Sequence, residues 1–154
     1  MSHTVTIDEL RAYTGQTLRV SEWVHITQEW IDRFADATHD HQFIHVDPKA
    51  AAASRFESTI AHGFLTLSLI SHLGPEDWPV LENQDMVINY GLDKLRFLKP
   101  VAVDSRIRLR TKILSVTEKR PLEYLVKTRR TMEIEGSDKP AFVAVQLVLI
   151  AQKR

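Results

Sequence analysis

A chain of 154 residues, 44% apolar and 26% charged, has the length of one domain and enough apolar matter to build a core without staples. Lys+Arg and Asp+Glu both number 20, and a net charge of zero argues against nucleic acid as a partner. Cysteine is absent, which excludes disulfides, thiolate nucleophiles and Cys-ligated zinc; residues 1–6 carry no basic-then-apolar leader and no apolar run approaches a bilayer span, so a single domain over residues 1–154, in the cytoplasm and with no membrane partner, is expected.

Thr6 and Glu9 have the spacing of a capping box, which predicts a short helix that Gly15 ends at about Tyr13. In residues 17–26, Leu18, Val20, Val24 and Ile26 alternate with polar residues around Trp23, and this predicts a strand. Thr27 is a predicted N-cap with Glu29 in the first turn. Trp30, Ile31, Phe34 and Ala37 fall at i, i+1, i+4 and i+7, the pattern of an amphipathic helix over residues 28–38. Asp47-Pro48 reads as the N-cap and first residue of another short helix, rich in alanine, to about Ser54.

Residues 60–75 are the most apolar stretch. Phe64, Leu65, Leu67, Leu69, Ile70 and Leu73 cover most of a helical circumference, which predicts a buried helix over 63–73 that Gly74-Pro75 stops. Gly63 at its start leaves backbone N–H groups free to hold a carbonyl oxygen or an anion. Residues 76–85 read as a loop. Beyond it the period changes to two: a strand over 86–98 with a bulge or a close backbone approach expected at Gly91, a second over 106–113 with one apolar and one basic face, a third over 122–135, and a nearly continuous apolar run over 142–151 expected to be central and buried on both faces. Four long strands joined by tight turns predict an antiparallel sheet, and the sheet needs the buried helix against one face, an α+β arrangement.

Between two of the helices lies Thr38-His39-Asp40-His41-Gln42-Phe43-Ile44-His45-Val46-Asp47-Pro48. Five residues turn a helix by roughly 500°, so Asp40 and His45 would not share a helical face. In a loop that doubles back they can meet, and a carboxylate and an imidazole at one point suit proton transfer with a bound water. The plain alternative is a capping carboxylate and a surface histidine. His39, His41, His45 and His62 also suggest a metal site, against which Asp40 is the only nearby carboxylate with a clear claim. Ser71 either lines a pocket or bonds back to its own helix.

The order of elements, with Asp40, Gln42, Ile44 and His45 and then His62-Gly63, resembles the MaoC-like hot-dog family of (R)-specific enoyl-CoA hydratases, nearest its NodN-like single-domain branch, over essentially the whole chain. The family's Asp, then Asn or Gln two residues on, then an aliphatic residue and His five residues after the Asp are all matched. Its usual Gly before the Asp is His39 here, and a common Pro is Phe43.

The resemblance implies a hot-dog fold: a curved antiparallel sheet wrapped around a long helix. It implies that Asp40 and His45 hold the water added to an α,β-unsaturated thioester, with either residue as the base. The Gly63 N–H would serve as oxyanion hole, and Gln42 would orient the loop or the water. His62 would be structural or line the substrate, with Ser71 a further lining residue. The substrate would be an acyl-CoA or acyl-carrier-protein thioester, with no cofactor beyond the coenzyme A of the substrate and no metal. The assembly would be a homodimer. Lys94, Arg96, Arg106, Arg108, Arg110 and Lys112 would be an ordinary solvated face or meet the coenzyme A phosphates. Competing readings are a hot-dog thioesterase and a non-catalytic acyl-CoA-binding subunit.

Overall fold

The computed structural model describes residues 3–18, 20–74 and 78–153. In chain order the elements are β1 (Thr4–Val5), α1 (Ile7–Ala12), β2 (Val24–His25), α2 (Gln28–Thr38), α3 (Phe43–Val46), α4 (Pro48–Ala52), α5 (Gly63–Ser68), β3 (Val80–Leu81), β4 (Gln84–Phe97), β5 (Arg106–Arg120), β6 (Glu123–Ile134) and β7 (Phe142–Gln152). The capping box forms as expected: Glu9 N donates to Thr6 Oγ1 and Thr6 N to Glu9 Oε2. Thr27 caps α2 by accepting from Trp30 N.

Residues 17–26, of which 19 lies outside the described residues, differ from the expected strand. Among the described residues regular pairing is confined to β2, although Leu18, Ser21 and Ile26 send N–H bonds to Thr111, Leu109 and Ser105 on and beside β5. The segment tracks the edge of β5 without a continuous ladder. One cause is Ser21, whose side-chain oxygen accepts the Leu109 N–H that a strand carbonyl would otherwise take.

The main sheet is antiparallel in the order β2-β5-β6-β7-β4. β4 therefore pairs with β7 and not with β5, its successor in sequence. The connection from β4 to β5 crosses instead against residues 59–61, where Ala61 N donates to Val101 O and Val103 N to Thr59 O. That crossing holds the start of α5 against the mouth of the sheet. The bulge, one of the two expectations at Gly91, is present between Asn89 and Gly91.

The inner face of the sheet is apolar. Leu65, Ile70 and Leu73 pack with Ile107, Leu109, Met132, Phe142 and Ala144 in one core cluster. Leu10, Leu18, Ile113, Val126, Val148 and Ile150 belong to a second. Burying a Leu, Ile or Phe side chain contributes about 1.5–3 kcal/mol, so these rows fix the strand register.

The helix expected over 63–73 is regular only over Gly63–Ser68. Past Ser68 the winding tightens, with Ile70 N bonded to Leu67 O and Ser71 N to Ser68 O, the i to i−3 pattern of a 3₁₀ turn. Nor is it buried all round: Phe64 is 64% exposed and Ser68, four residues on, shares that outward stripe. β7 likewise is buried on its inner face only, while Val143, Val145, Leu147 and Leu149 are half-buried. On the outer face of β5, Arg106 pairs with Glu135, and Arg108 and Arg110 share Glu133, so three of the six basic residues are already ion-paired. Among the described residues no helix is long and apolar enough to cross a membrane.

Candidate active site

Helix α2 ends in His39, whose φ of 58° is left-handed. A left-handed C-cap reverses the chain, which accounts for a glycine being usual there in the family and shows how His39 meets the same demand. Asp40 follows, half exposed. One helical turn, α3, then aims His45 inward until it is 7% exposed. Asp47 caps α4 from Ala50 N, with Pro48 at its first position.

His45 Nδ1 donates to the Ile60 backbone carbonyl at 2.7 Å. A carbonyl can only accept, so in the neutral ring Nε2 carries the lone pair. Behind it lies His62, 4% exposed and stacked on His45 with ring centroids 3.8 Å apart. His62 Nε2 donates to the Asp40 backbone carbonyl at 2.9 Å, and its Nδ1 is buried with no partner among the described residues. Asp40, His45 and His62 bring ligand-capable atoms within 4.8 Å of one another. One water bridges such a gap with two bonds of about 2.8 Å. The same three donors could also hold a divalent ion, a closer set than the sequence suggests; His41 is instead turned to Asp36.

Burial lowers the His45 pKa below its ordinary 6.5, and a charge on His62 lowers it further; the Ile60 carbonyl and Asp40 oppose them. The imidazole is therefore neutral at pH 7, with Nε2 free to take a proton.

A cavity of about 420 Å³ opens beside this pair, lined by His45, Gly63, Phe64, Thr66, Phe97 and Val101 among others. Its size is that of a small-molecule site. No side chain caps α5, and the N–H groups of Gly63 and Phe64 find no acceptor among the described residues. A Cβ on Gly63 would lie 3.0 Å from Phe97 Cε1, so glycine is what lets the ring approach the helix start.

A match to the MaoC like domain spans residues 9–135. The chain belongs to the MaoC-like family. Nodulation protein N of Rhizobium leguminosarum bv. viciae is 47% identical to it over 96% of this chain and 92% of that protein. The 3-hydroxyacyl-thioester dehydratase Z of Mycobacterium tuberculosis (strain ATCC 25618 / H37Rv) is 45% identical over 93% and 94%. The (R)-hydratase structure from A. caviae aligns with a TM-score of 0.68 at 25% identity, covering 86% of this chain and 97% of that one. The hot-dog architecture expected from sequence is thus the architecture found.

Within this MaoC-like frame the expected residues fall into two groups. Asp40, His45, His62 and Gly63 come together. Gln42 starts α3 and offers its backbone carbonyl to His45 N, while its exposed side chain makes no bond among the described residues. The Ser71 hydroxyl makes no bond back to its helix among the described residues; it lines two other cavities, farther along the chain from the His45 pocket. One supporting residue escaped sequence reasoning. Gln28 at the start of α2 donates to the His45 carbonyl at 2.7 Å and accepts from Thr59 Oγ1, tying α2, α3 and the segment before α5 together. A polar residue in a helix's first turn carries no signal of that kind.

Proposed function

We propose that this MaoC-like protein adds water across the double bond of a trans-2-enoyl thioester to give the (R)-3-hydroxyacyl product, or runs the same step in reverse. The observation that carries the reading is the meeting of Asp40 and His45, with His45 lining a cavity that Gly63, whose N–H finds no acceptor among the described residues, lines too. A water held between the pair gives one proton to His45 Nε2 as its oxygen bonds C3. The π electrons move to the thioester oxygen, where the Gly63 N–H donates to the developing charge; one such donor is worth about 2.7–4 kcal/mol. The charged imidazole then returns the proton to C2. Asp40 accepts the water's other hydrogen and stabilises the imidazolium. No metal and no cofactor beyond the coenzyme A of the substrate enters these steps. Coenzyme A or an acyl carrier protein serves as carrier, and Lys99, exposed and lining the same cavity, is a cation suited to its phosphates. The named activities of the dehydratase Z and (R)-hydratase relatives support the reaction class.

The working unit we propose is a homodimer of single-domain chains. β4 leaves one edge unpaired over 14 residues, and Met86, Val87, Ile88, Tyr90 and Leu92 are exposed on it. An edge that long and apolar calls for a partner; light scattering reads the mass directly.

Loss of enoyl absorbance on mixing with trans-2-enoyl-CoA tests the chemistry. Wild type removes the signal without releasing thiol, and Asp40→Asn and His45→Gln are folded but slower by about 10²–10⁴-fold. Release of free thiol, or no reaction at any chain length, overturns the reading.

A further inference from the structure

Two apolar clusters line the inner face of the sheet, and a polar band separates them. β5 runs Leu109, Thr111, Ile113 inward; β6 runs Met132, Arg130, Thr128, Val126; β7 runs Ala144, Gln146, Val148. Each central strand breaks its apolar row at the same level. Thr111 and Arg130 are register partners, as are Thr128 and Gln146. A sheet that needed only a core would keep these positions apolar.

Arg130 is the centre of the band and is 5% exposed. Its Nε donates to Gln146 Oε1 at 2.9 Å and its Nη1 to Thr111 Oγ1 at 2.6 Å; Gln146 Nε2 donates on to Asn89 Oδ1. The Trp78 ring lies 5.4 Å from the guanidinium. Every one of these partners is neutral. Among the described residues no carboxylate pairs with Arg130, Nη2 makes no hydrogen bond, and nearby Thr128 Oγ1 is buried with no partner. Burial lowers the guanidinium pKa to about 10, which leaves it charged at neutral pH. A buried charge without a counter-ion costs several kcal/mol, and a structural role does not require one.

The charge lines a cavity of about 270 Å³ with Ile70, Ser71, Trp78, Asn89 and Gln146. A neighbouring cavity of about 250 Å³ shares Ile70, Ser71, Asn89 and Gln146 and adds Leu67 and Ser68. Neither is lined by an acidic side chain among the described residues. Their lining residues Leu67, Ser68, Ile70 and Ser71 follow in the chain on Gly63, Phe64 and Thr66 of the His45 cavity, along α5 and the turn after it. From Gly63 to Ser71 the helical rise is roughly 12–16 Å, the reach of a medium-length acyl chain.

We infer that Arg130 receives the carboxylate of an acyl thioester whose tail ends in a carboxyl group, lying along α5 with its thioester at Asp40 and His45. The inference rests on the acyl-thioester reading above. Nη2 and the second hydrogen of Nη1 form the receiving edge, Ser71 and Asn89 supply further polar contacts, and Leu67 and Ile70 line the methylene path.

The test compares trans-2-dodecenoyl-CoA with its ω-carboxylate counterpart, trans-2-dodecenedioyl-CoA, on wild type, Arg130→Met and Arg130→Lys. Wild type is expected to favour the dicarboxylic substrate in kcat/KM. Arg130→Met lowers that preference about tenfold to a hundredfold, the worth of one charge-assisted hydrogen bond, and Arg130→Lys restores part of it. In parallel, suberate is titrated against tryptophan fluorescence: Trp78 reports binding in wild type, and Arg130→Met and Trp78→Phe remove the response. Equal handling of the two thioesters by wild type and Arg130→Met, with no suberate response, overturns the inference while dodecenoyl-CoA hydration leaves the reaction class standing. Loss of both activities in proportion to a fall in Tm makes Arg130 a scaffold residue and overturns it too. If wild type hydrates neither thioester, the reaction class fails, and the suberate titration alone decides whether Arg130 takes a carboxylate.

Discussion

Two polar groups interrupt the apolar interior of this MaoC-like chain, one at each end of the α5 path, and they are built in opposite ways. At the head, Asp40, His45 and His62 come from 23 consecutive residues, and each ring is locked by a backbone carbonyl, Ile60 for His45 and Asp40 for His62. At the tail, Thr111, Arg130, Gln146 and Asn89 come from four strands and are locked by one another's side chains. A neutral base has little to lose from burial, so backbone carbonyls suffice to hold it. A permanent cation keeps its charge in either setting, so the tail has to be supplied with neutral acceptors and left open on one side. In the reading proposed above, the head would move a proton and the tail would hold an ion.

The largest expected effect separates the two ends by their chemistry. Asp40→Asn or His45→Gln lowers kcat by about 10²–10⁴-fold on every thioester, the usual worth of a positioned acid–base group, whereas the Arg130 variants change the ratio between substrates. Stopped absorbance assays across tail types decide it. A His45 variant with tail-dependent losses would erase the division between head and tail.

Gly63→Ala comes next. Its Cβ would meet the Phe97 ring at 3.0–3.2 Å. Phe97 is 45% exposed, so the ring yields, and stability changes by less than the 1–3 kcal/mol typical of overpacking. The ring moves at the cavity wall, however, and a displacement of about 1 Å near reacting atoms costs up to 10²-fold in rate. A fall in kcat/KM with Tm nearly unchanged is the expected pair of results.

This contrast between head and tail also explains what was legible in the sequence. The loop from His39 to Asp47 could be read because its signals are local: a cap at Thr27, a proline at Pro48, and two titratable residues five apart. Its convergence needed only a left-handed residue and one turn of helix. The Arg130 band could not be read, since Arg130 sits in the alternating run of β6 where an inward cation looks like a register error. Only the pairing with Thr111 and Gln146 reveals the band, and pairing is non-local. The same reason hid the β4–β7 pairing, because adjacency in sequence favours β4 with β5. The helix after Gly63 was overextended since apolar residues on all sides read as burial, when the Phe64 and Ser68 stripe faces outward.

pH gives a subtler probe of the head. The His45 pKa is lowered in the folded protein, so the acid limb of kcat/KM falls below pH 6.5. The unfolded chain takes up the proton at about 6.5 and the folded one only at lower pH. This contribution to stability is therefore complete above 6.5 and is lost as pH drops from 6.5 through the folded value. His62→Gln removes the neighbouring charge that lowers His45, and the acid limb moves to higher pH. A limb that stays where it was would mean that the stacked ring does not tune the base. Chelation by EDTA is expected to leave turnover unchanged in wild type and His62→Gln, because in the proposed step Asp40 and His45 act on water directly.

The smallest effect lies outside both ends. Thr6→Ala removes the side-chain acceptor of Glu9 N and leaves half of a capping box. A lost cap costs about 1 kcal/mol, which for a chain of this length lowers Tm by about 2–4 °C. α1 contributes Leu10 to the second core cluster, the cluster on the far side of the polar band from the Asp40 and His45 site. The substitution therefore lowers Tm and leaves kcat/KM on trans-2-dodecenoyl-CoA where it was. If it also reduced the preference for a carboxylate tail, the second cluster would be setting the position of the Arg130 band, and the two ends of the path would differ in rigidity as well as in charge.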